Sequence, residues 1–267
     1  RSDIIAFGEP GAFQWSGRIE ADYSDTVLRQ LYAYKSASST PLPYSYLGYS
    51  VLIIKSKTRD FNDRSYIFVA SAPRASNGLG EIRFYIKRFV STNNFGYDTL
   101  QSIFQLNNTN HSIPFILTGE QIGSYFGHTM TAGDLNGDGY TDLVVSAPFY
   151  YSKKPSHGGA VYIYYGLNGK YSNDRRQVLF ESPIHSRFGF AIACIPDLNK
   201  DGIDDLAISA PGEKDDIHTG SVYIYLGSRT SQLTKYTQKI VPSQLLINSK
   251  QTTIINDFGF SLATQSP

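Results

Sequence analysis

Apolar and polar positions in this chain alternate in short bursts, not in long stripes. Val161-Tyr-Ile-Tyr164, Val222-Tyr-Ile-Tyr225, Leu143-Val-Val145 and Phe68-Val-Ala70 are dense in β-branched and aromatic residues, and clusters of Gly, Pro, Asn and Asp bound each of them. Runs this short and this β-branched predict strands joined by turns. The bursts also repeat. Tyr125-Phe126-Gly127, Asp134 to Asp142, Leu143 to Pro148 and Gly159 to Gly166 recur as Arg187-Phe188-Gly189, Asp197 to Asp205, Leu206 to Pro211 and Gly220 to Gly227, at offsets of 62, 63, 63 and 61 residues. A looser copy reads Tyr46-Leu47-Gly48, Phe68 to Pro73 and Gly80 to Ile86, and partial copies lie at Gly8 to Ile19 and Asp257-Phe258-Gly259.

Each unit supplies about four strands and cannot bury both faces by itself, so its neighbours must stack on it. The predicted fold is therefore all-β, a β-propeller of four-stranded blades; a β-solenoid is the alternative, but its repeats usually run shorter than about 60 residues. Gly48, Gly127 and Gly189 are expected where a neighbouring backbone comes close. Pro73, Pro148 and Pro211 are expected to end the second strand of their units, because proline donates nothing to a ladder.

Two loops carry candidate chemistry. Asp134, Asn136, Asp138 and Asp142 hold positions 1, 3, 5 and 9, with Gly139 at position 6; Asp197, Asn199, Asp201, Asp205 and Gly202 repeat the pattern. Odd spacing in a tight loop converges oxygens, and the carbonyl of Tyr140 or Ile203 at position 7 completes a shell for a hard cation, Ca2+. An EF-hand is excluded by Val145 and Ile208 at position 12, where a bidentate Glu is needed, and by the strands that follow. The looser unit has Lys55 to Asp63 in this place, with carboxylates at 60 and 63 only, and no calcium is expected there.

The charge balance, 24 basic against 23 acidic side chains with no basic cluster, argues against a nucleic-acid or anionic-membrane surface. Cys194 is the single cysteine, so neither an internal disulfide nor a cysteine zinc site is available, and it reads as a small buried hydrophobe. His111, His128, His157, His185 and His218 show no ligand spacing and read as ordinary loop or surface residues. No nucleophile elbow, phosphate loop or dinucleotide fingerprint is present, and no enzyme is expected. No apolar run approaches the roughly 20 residues that span a bilayer. The chain starts at Arg1 and reads as a fragment, whose open sheet edges predict poor folding alone.

The phenylalanine-glycine start, the acidic loop and the Ala-Pro end resemble the FG-GAP repeat. The strings Pro10-Gly-Ala-Phe-Gln-Trp-Ser-Gly17, Ser45-Tyr-Leu-Gly-Tyr-Ser-Val51, Ala72-Pro-Arg-Ala75 and Gly119-Glu-Gln-Ile-Gly-Ser-Tyr-Phe-Gly127 resemble, over essentially the whole chain, the propeller head of integrin α chains. The resemblance implies seven blades, with residues 1–30 ending blade 3, 45–118 forming blade 4 with an insertion, 124–182 blade 5, 186–248 blade 6 and 256–267 opening blade 7. It implies an adhesion receptor on the cell surface, a type I membrane glycoprotein paired with an integrin β subunit and binding an extracellular matrix ligand. It also implies that Tyr49, His128, Phe190 and Phe260, directly after the blade-start glycines, form an aromatic cage for a basic β-subunit side chain, with His128 departing from the aromatic pattern.

Two further implications concern ligand and setting. Integrins that recognise Arg-Gly-Asp carry acidic residues where Pro43 and Tyr44 stand here, so the resemblance points to the laminin-binding group. Asn107 and Asn110 begin glycosylation sequons in the insertion. The alternative is a non-catalytic propeller module of a glycosylphosphatidylinositol-specific phospholipase D; a propeller lectin fits less well because the blades are unequal.

Overall fold

The computed structural model describes residues 4–23, 32–34, 43–55, 66–87, 116–167, 169–181, 183–215, 217–230, 232–245 and 254–263. The segment 56–65, where no calcium was expected, and the sequons at Asn107 and Asn110 lie outside the described residues.

Four antiparallel sheets follow one another along the chain. The first contains β1 (Ile4–Glu9), β2 (Arg18–Tyr23) and β3 (Tyr32–Tyr34). The second runs β4 (Val51–Lys55), β5 (Tyr66–Ala72), β6 (Glu81–Lys87) and β7 (Ile116–Thr118) in spatial order. The third has β8 (Met130–Gly133), β9 (Asp142–Lys153), β10 (Ser156–Tyr164) and β11 (Arg176–Leu179). In the fourth, β12 (Ile192–Ile195) and β13 (Asp205–Ser209) are followed by a two-stranded pair, β14 (Lys214–Asp215) and β15 (His218–Thr219), before β16 (Val222–Tyr225) and β17 (Gln238–Ile240) complete the order β12-β13-β16-β17. The first strands β4, β8 and β12 of successive sheets touch one another, and β1 touches β4, which is the radial arrangement of propeller blades.

Period-2 alternation explains why the sheets need neighbours. Leu143, Val145, Ala147, Ala160, Tyr162 and Tyr164 of the third sheet join Ile67, Val69, Ile82 and Leu117 of the second in one core. The alternate residues Val144, Val161 and Ile163 join Leu206, Ile208, Tyr223 and Tyr225 of the fourth in another. A third core holds Ile19, Leu47, Ala70 and Ala72 between the first and second sheets. β9 and β10 are thus apolar on both faces, and full burial of each Val, Leu or Ile contributes about 1.5–3 kcal/mol.

Two expectations about punctuation change. β5 ends at Ala72 and β13 at Ser209, before Pro73 and Pro211, but β9 runs through Pro148 to Lys153. The register of β9 and β10 shifts beside Gly159, so Pro148 sits in an irregularity where no ladder donor is required. The amide of Gln121 then holds the extension, its Nε2 donating to the Tyr151 carbonyl at 2.9 Å while its Oε1 accepts from the Tyr151 N–H at 2.8 Å. The second concerns the glycines: Gly48 meets a neighbouring backbone as expected, and Gly8, together with Gly17, Gly80, Gly159 and Gly220, all four with positive φ, does so as well, a Cβ at each standing 1.8–2.3 Å from a backbone atom of the adjoining unit. A Cβ on Gly159 would stand 2.1 Å from the Phe188 carbonyl oxygen, and one on Gly220 would stand 2.3 Å from the backbone of Phe258. Among the described residues no helix is long and apolar enough to cross a membrane.

Candidate metal loops and an axial aromatic row

The two acidic loops connect the first and second strands of the third and fourth sheets, β8 to β9 and β12 to β13. They match bond for bond. Asp134 accepts from the N–H groups of Asp138 and Gly139 at 3.2 and 2.8 Å; Asp197 accepts from those of Asp201 and Gly202 at 3.0 and 2.7 Å. Asn136 accepts from the Asp138 N–H and donates to its carboxylate, as Asn199 does with Asp201. Tyr140 N–H and Ile203 N–H donate to Asp138 and Asp201. At position 9, Asp142 accepts from Leu135 and Gly166, and Asp205 from Leu198 and Gly227, so both carboxylates are fully buried anchors.

Gly139 and Gly202 both lie at φ +84°, and a Cβ would meet nothing within 4 Å, so backbone conformation, not room, requires glycine there. Position 4 is left-handed as well, with Gly137 at +68° and Lys200 at +62°. The carboxylates turn onto the loop's own amides, and among the described residues no three His, Cys, Asp or Glu side chains gather closely enough to enclose an ion.

The donor set nonetheless fits a hard dication. It is all oxygen and carries a net negative charge, which Arg175, 3.9 Å from the Asp138 carboxylate, offsets only in part. Burial pushes the Asp142 carboxyl up to about 7, the amides of Gly166 and Leu135 pull it back, and the charges of Asp138 and Asp134 raise it further. Burial likewise raises Asp205, with Asp197 and Asp201 adding to the effect. A bound cation reverses that sign by stabilising the charged form.

On the opposite side of the sheets the four aromatic positions form one row. Tyr49 and His128 have ring centroids 5.7 Å apart, His128 and Phe190 4.8 Å, and Phe190 and Phe260 4.7 Å. Each of these residues donates its N–H to the carbonyl three positions earlier, on Tyr46, Tyr125, Arg187 or Asp257. The glycine before it has a positive φ of 81–92°, which closes the turn. Tyr49 and Phe260 at the ends of the row are 39 and 57% exposed.

Tyr125, not expected in the row, packs edge-on to Tyr49 at 5.3 Å and also meets His128 and Phe149. Burial holds the His128 imidazole below its ordinary value, against an opposite pull from the Phe190 backbone, and its Nδ1 is buried without a hydrogen-bond partner. His218 is buried too, contrary to the surface reading, and its Nδ1 accepts from the Ile255 N–H at 3.1 Å. Cys194 packs against the core between the third and fourth sheets, and burial pushes its thiol up to about 12.

The FG-GAP repeat model matches residues 126–164 and 188–225, which are the third and fourth sheets, without their last strands β11 and β17, together with their acidic loops. Integrin alpha-7 of Rattus norvegicus is 32% identical over 98% of this chain, integrin alpha-3 of Cricetulus griseus 33% over 98%, and integrin alpha-8 of Mus musculus 35% over 97%. This chain carries FG-GAP repeats and is similar to integrin α chains over nearly its whole length. It spans about a fifth of the length of these curated relatives, 21 to 23%. The integrin likeness extends beyond the repeat model to the first and second sheets, where the aromatic row begins, and so favours an integrin α head over the phospholipase module. Identity to these three relatives differs by only three percentage points, so it does not rank subgroups within the integrin family.

Proposed function

We propose that the chain is part of the head of an integrin α subunit, a cell-surface adhesion receptor that pairs with a β subunit, binds an extracellular matrix ligand of laminin type and holds calcium in its two acidic loops. This is a binding role, not a catalytic one. The observation that carries it is the row Tyr49, His128, Phe190 and Phe260, whose rings follow one another at tilts of 41–51° with the end members open to solvent. Aromatic faces presented this way attract a cation from a partner, and a desolvated contact of that kind is worth about 2 kcal/mol.

The ligand preference is supported by the surface around Tyr44 and Tyr46. Tyr44 is 57% exposed, Trp15 packs on Tyr46 at 5.5 Å, and the Arg74 guanidinium lies 4.9 Å over the Tyr46 ring. A cation already sits there, and Pro43 and Tyr44 offer no carboxylate, so the surface is unsuited to pairing with a ligand arginine. Asp134, Asn136, Asp138, Asp142 and the carbonyl of Tyr140 would hold one calcium, and the corresponding residues 197, 199, 201, 205 and 203 the other; the ion would supply charge compensation and rigidity.

The test is co-expression with a β subunit on cells that lack the receptor. Phe190→Ala should reduce surface heterodimer, and cells carrying the unaltered chain should spread on laminin but not on an Arg-Gly-Asp peptide. Undiminished pairing of the Phe190 variant would overturn the interface, and peptide-selective spreading would overturn the ligand class.

A further inference from the structure

We infer that Asp204 is a positioning residue that couples the two acidic loops, so that calcium in one raises the affinity of the other. The inference rests on the calcium reading of both loops. Asp204 stands at position 8 of the second loop, between the position-7 carbonyl of Ile203 and the position-9 carboxylate of Asp205, and is itself assigned no ligand role. Its Oδ2 accepts from the backbone N–H of Asp134 at 2.9 Å, and its own N–H donates to the Asp134 carbonyl at 3.1 Å. Asp134 is position 1 of the first loop. Two bonds in opposite directions therefore join the first ligand of one loop to the residue between two ligands of the other.

The surroundings are shaped for this contact. A Cβ on Gly133 would stand 2.9 Å from the Asp204 carboxylate and 3.1 Å from the Cys194 Cβ, so glycine before Asp134 leaves the carboxylate unobstructed in its present position. A third bond runs parallel: Ser228 N–H donates to the Leu135 carbonyl at 2.9 Å, while the adjacent Gly227 N–H donates to Asp205 Oδ1 at 2.9 Å and Leu135 N–H donates to Asp142 Oδ2 at 3.0 Å. A continuous path thus links the position-9 anchors of both loops. The first loop has Thr141 at position 8, which carries no carboxylate, so the link is a property of this pair and not of the repeat.

Re-aiming the Asp134 carboxylate onto an ion orders the backbone that Asp204 grips, and the second loop then loses less freedom when it fills. Such coupling is reciprocal.

The experiment is a titration of the intact chain with calcium by calorimetry, and with terbium, whose luminescence is sensitised by Tyr140 at position 7 of the first loop, where the second has Ile203. Asp201→Asn removes an exposed ligand of the second loop without touching the inter-loop bonds. It should weaken the first loop by about fivefold or more, and this effect should vanish when Asp204→Ala is already present. Circular dichroism checks that each variant is folded; should Asp204→Ala unfold, Asp201→Asn in the unaltered background decides alone. Two sites that fill independently, with Asp201→Asn silent at the first loop, overturn the coupling and leave the calcium reading standing. Absence of binding at both loops overturns both.

Discussion

At the scale of single residues, the buried serine of each Ser-Ala-Pro run is where a bland residue does specific work. Ser71, Ser146 and Ser209 are fully buried, and their Oγ atoms accept from the N–H groups of Ser50, Thr129 and Ala191 beside the first strand. Replacing Ser209 with Ala leaves the Ala191 N–H unpaired in a dry site, so Ser209→Ala is expected to cost about 1–3 kcal/mol in denaturant unfolding; no loss of stability would remove that role. The repeat made this serine visible in the sequence but not its task, because the partner is a backbone group that no residue type announces. The left-handed residues before each Leu-Gly or Phe-Gly were equally hidden. Tyr46, Tyr125, Arg187 and Asp257 all lie at φ 54–60° although none is glycine or asparagine. The turn that presents the aromatic row imposes that conformation, at about 1–2 kcal/mol each.

At the scale of elements, alternation and repeat offsets were enough to place four strands per unit, because burial on both faces writes itself into the apolar run. What they did not yield was how units meet. Gly48 does meet a neighbouring backbone, 2.3 Å from the Arg18 carbonyl oxygen, but Gly127 and Gly189 meet side chains first, and Gly17, Gly80, Gly159 and Gly220, which a sequence reader takes for the start of a strand, are joints of the same closeness as Gly48. Gly159→Ala combines a positive φ with backbone overlap, so a loss of about 2–4 kcal/mol is expected; a variant that melts with the unaltered protein would contradict the joint.

The row of rings, in contrast, was legible only through the integrin resemblance, which marks the residue after each blade-start glycine. His128 gives it a pH dependence. Its folded value is depressed, so the stability associated with the neutral ring is fully present above the unfolded value of about 6.5 and is lost as pH falls through and below it. Between pH 7 and 5 the melting temperature should fall further for the unaltered protein than for His128→Phe, and equal falls would exclude the histidine as the cause.

For the molecule as a whole, the acidic loops set an external condition on stability. Their ligand types and spacing were legible; the bridge through Asp204 was not, since it depends on which loops the fold sets side by side. With about 1 mM calcium and an affinity near 0.1 mM, each filled loop adds about 1.4 kcal/mol. Two such loops correspond to a melting temperature about 5–10 °C lower in EDTA. A melting curve indifferent to the chelator would take calcium out of the account.

The joints between sheets have a mechanical consequence. On the side of the aromatic row, Phe188 N–H donates to Gly158 and Phe258 N–H to Thr219, while on the side of the acidic loops Asp134 and Asp204 clasp each other. Between them Gln177 exchanges two bonds with Leu233. The third and fourth sheets are therefore stitched at both ends and along the outer margin, so neither can pivot about a single hinge. Tension applied to one sheet reaches the next across several bonds at once, and yielding requires them to break together. A propeller segment built this way passes a pull along as displacement of a stiff body, without dissipating it in slippage between its own parts.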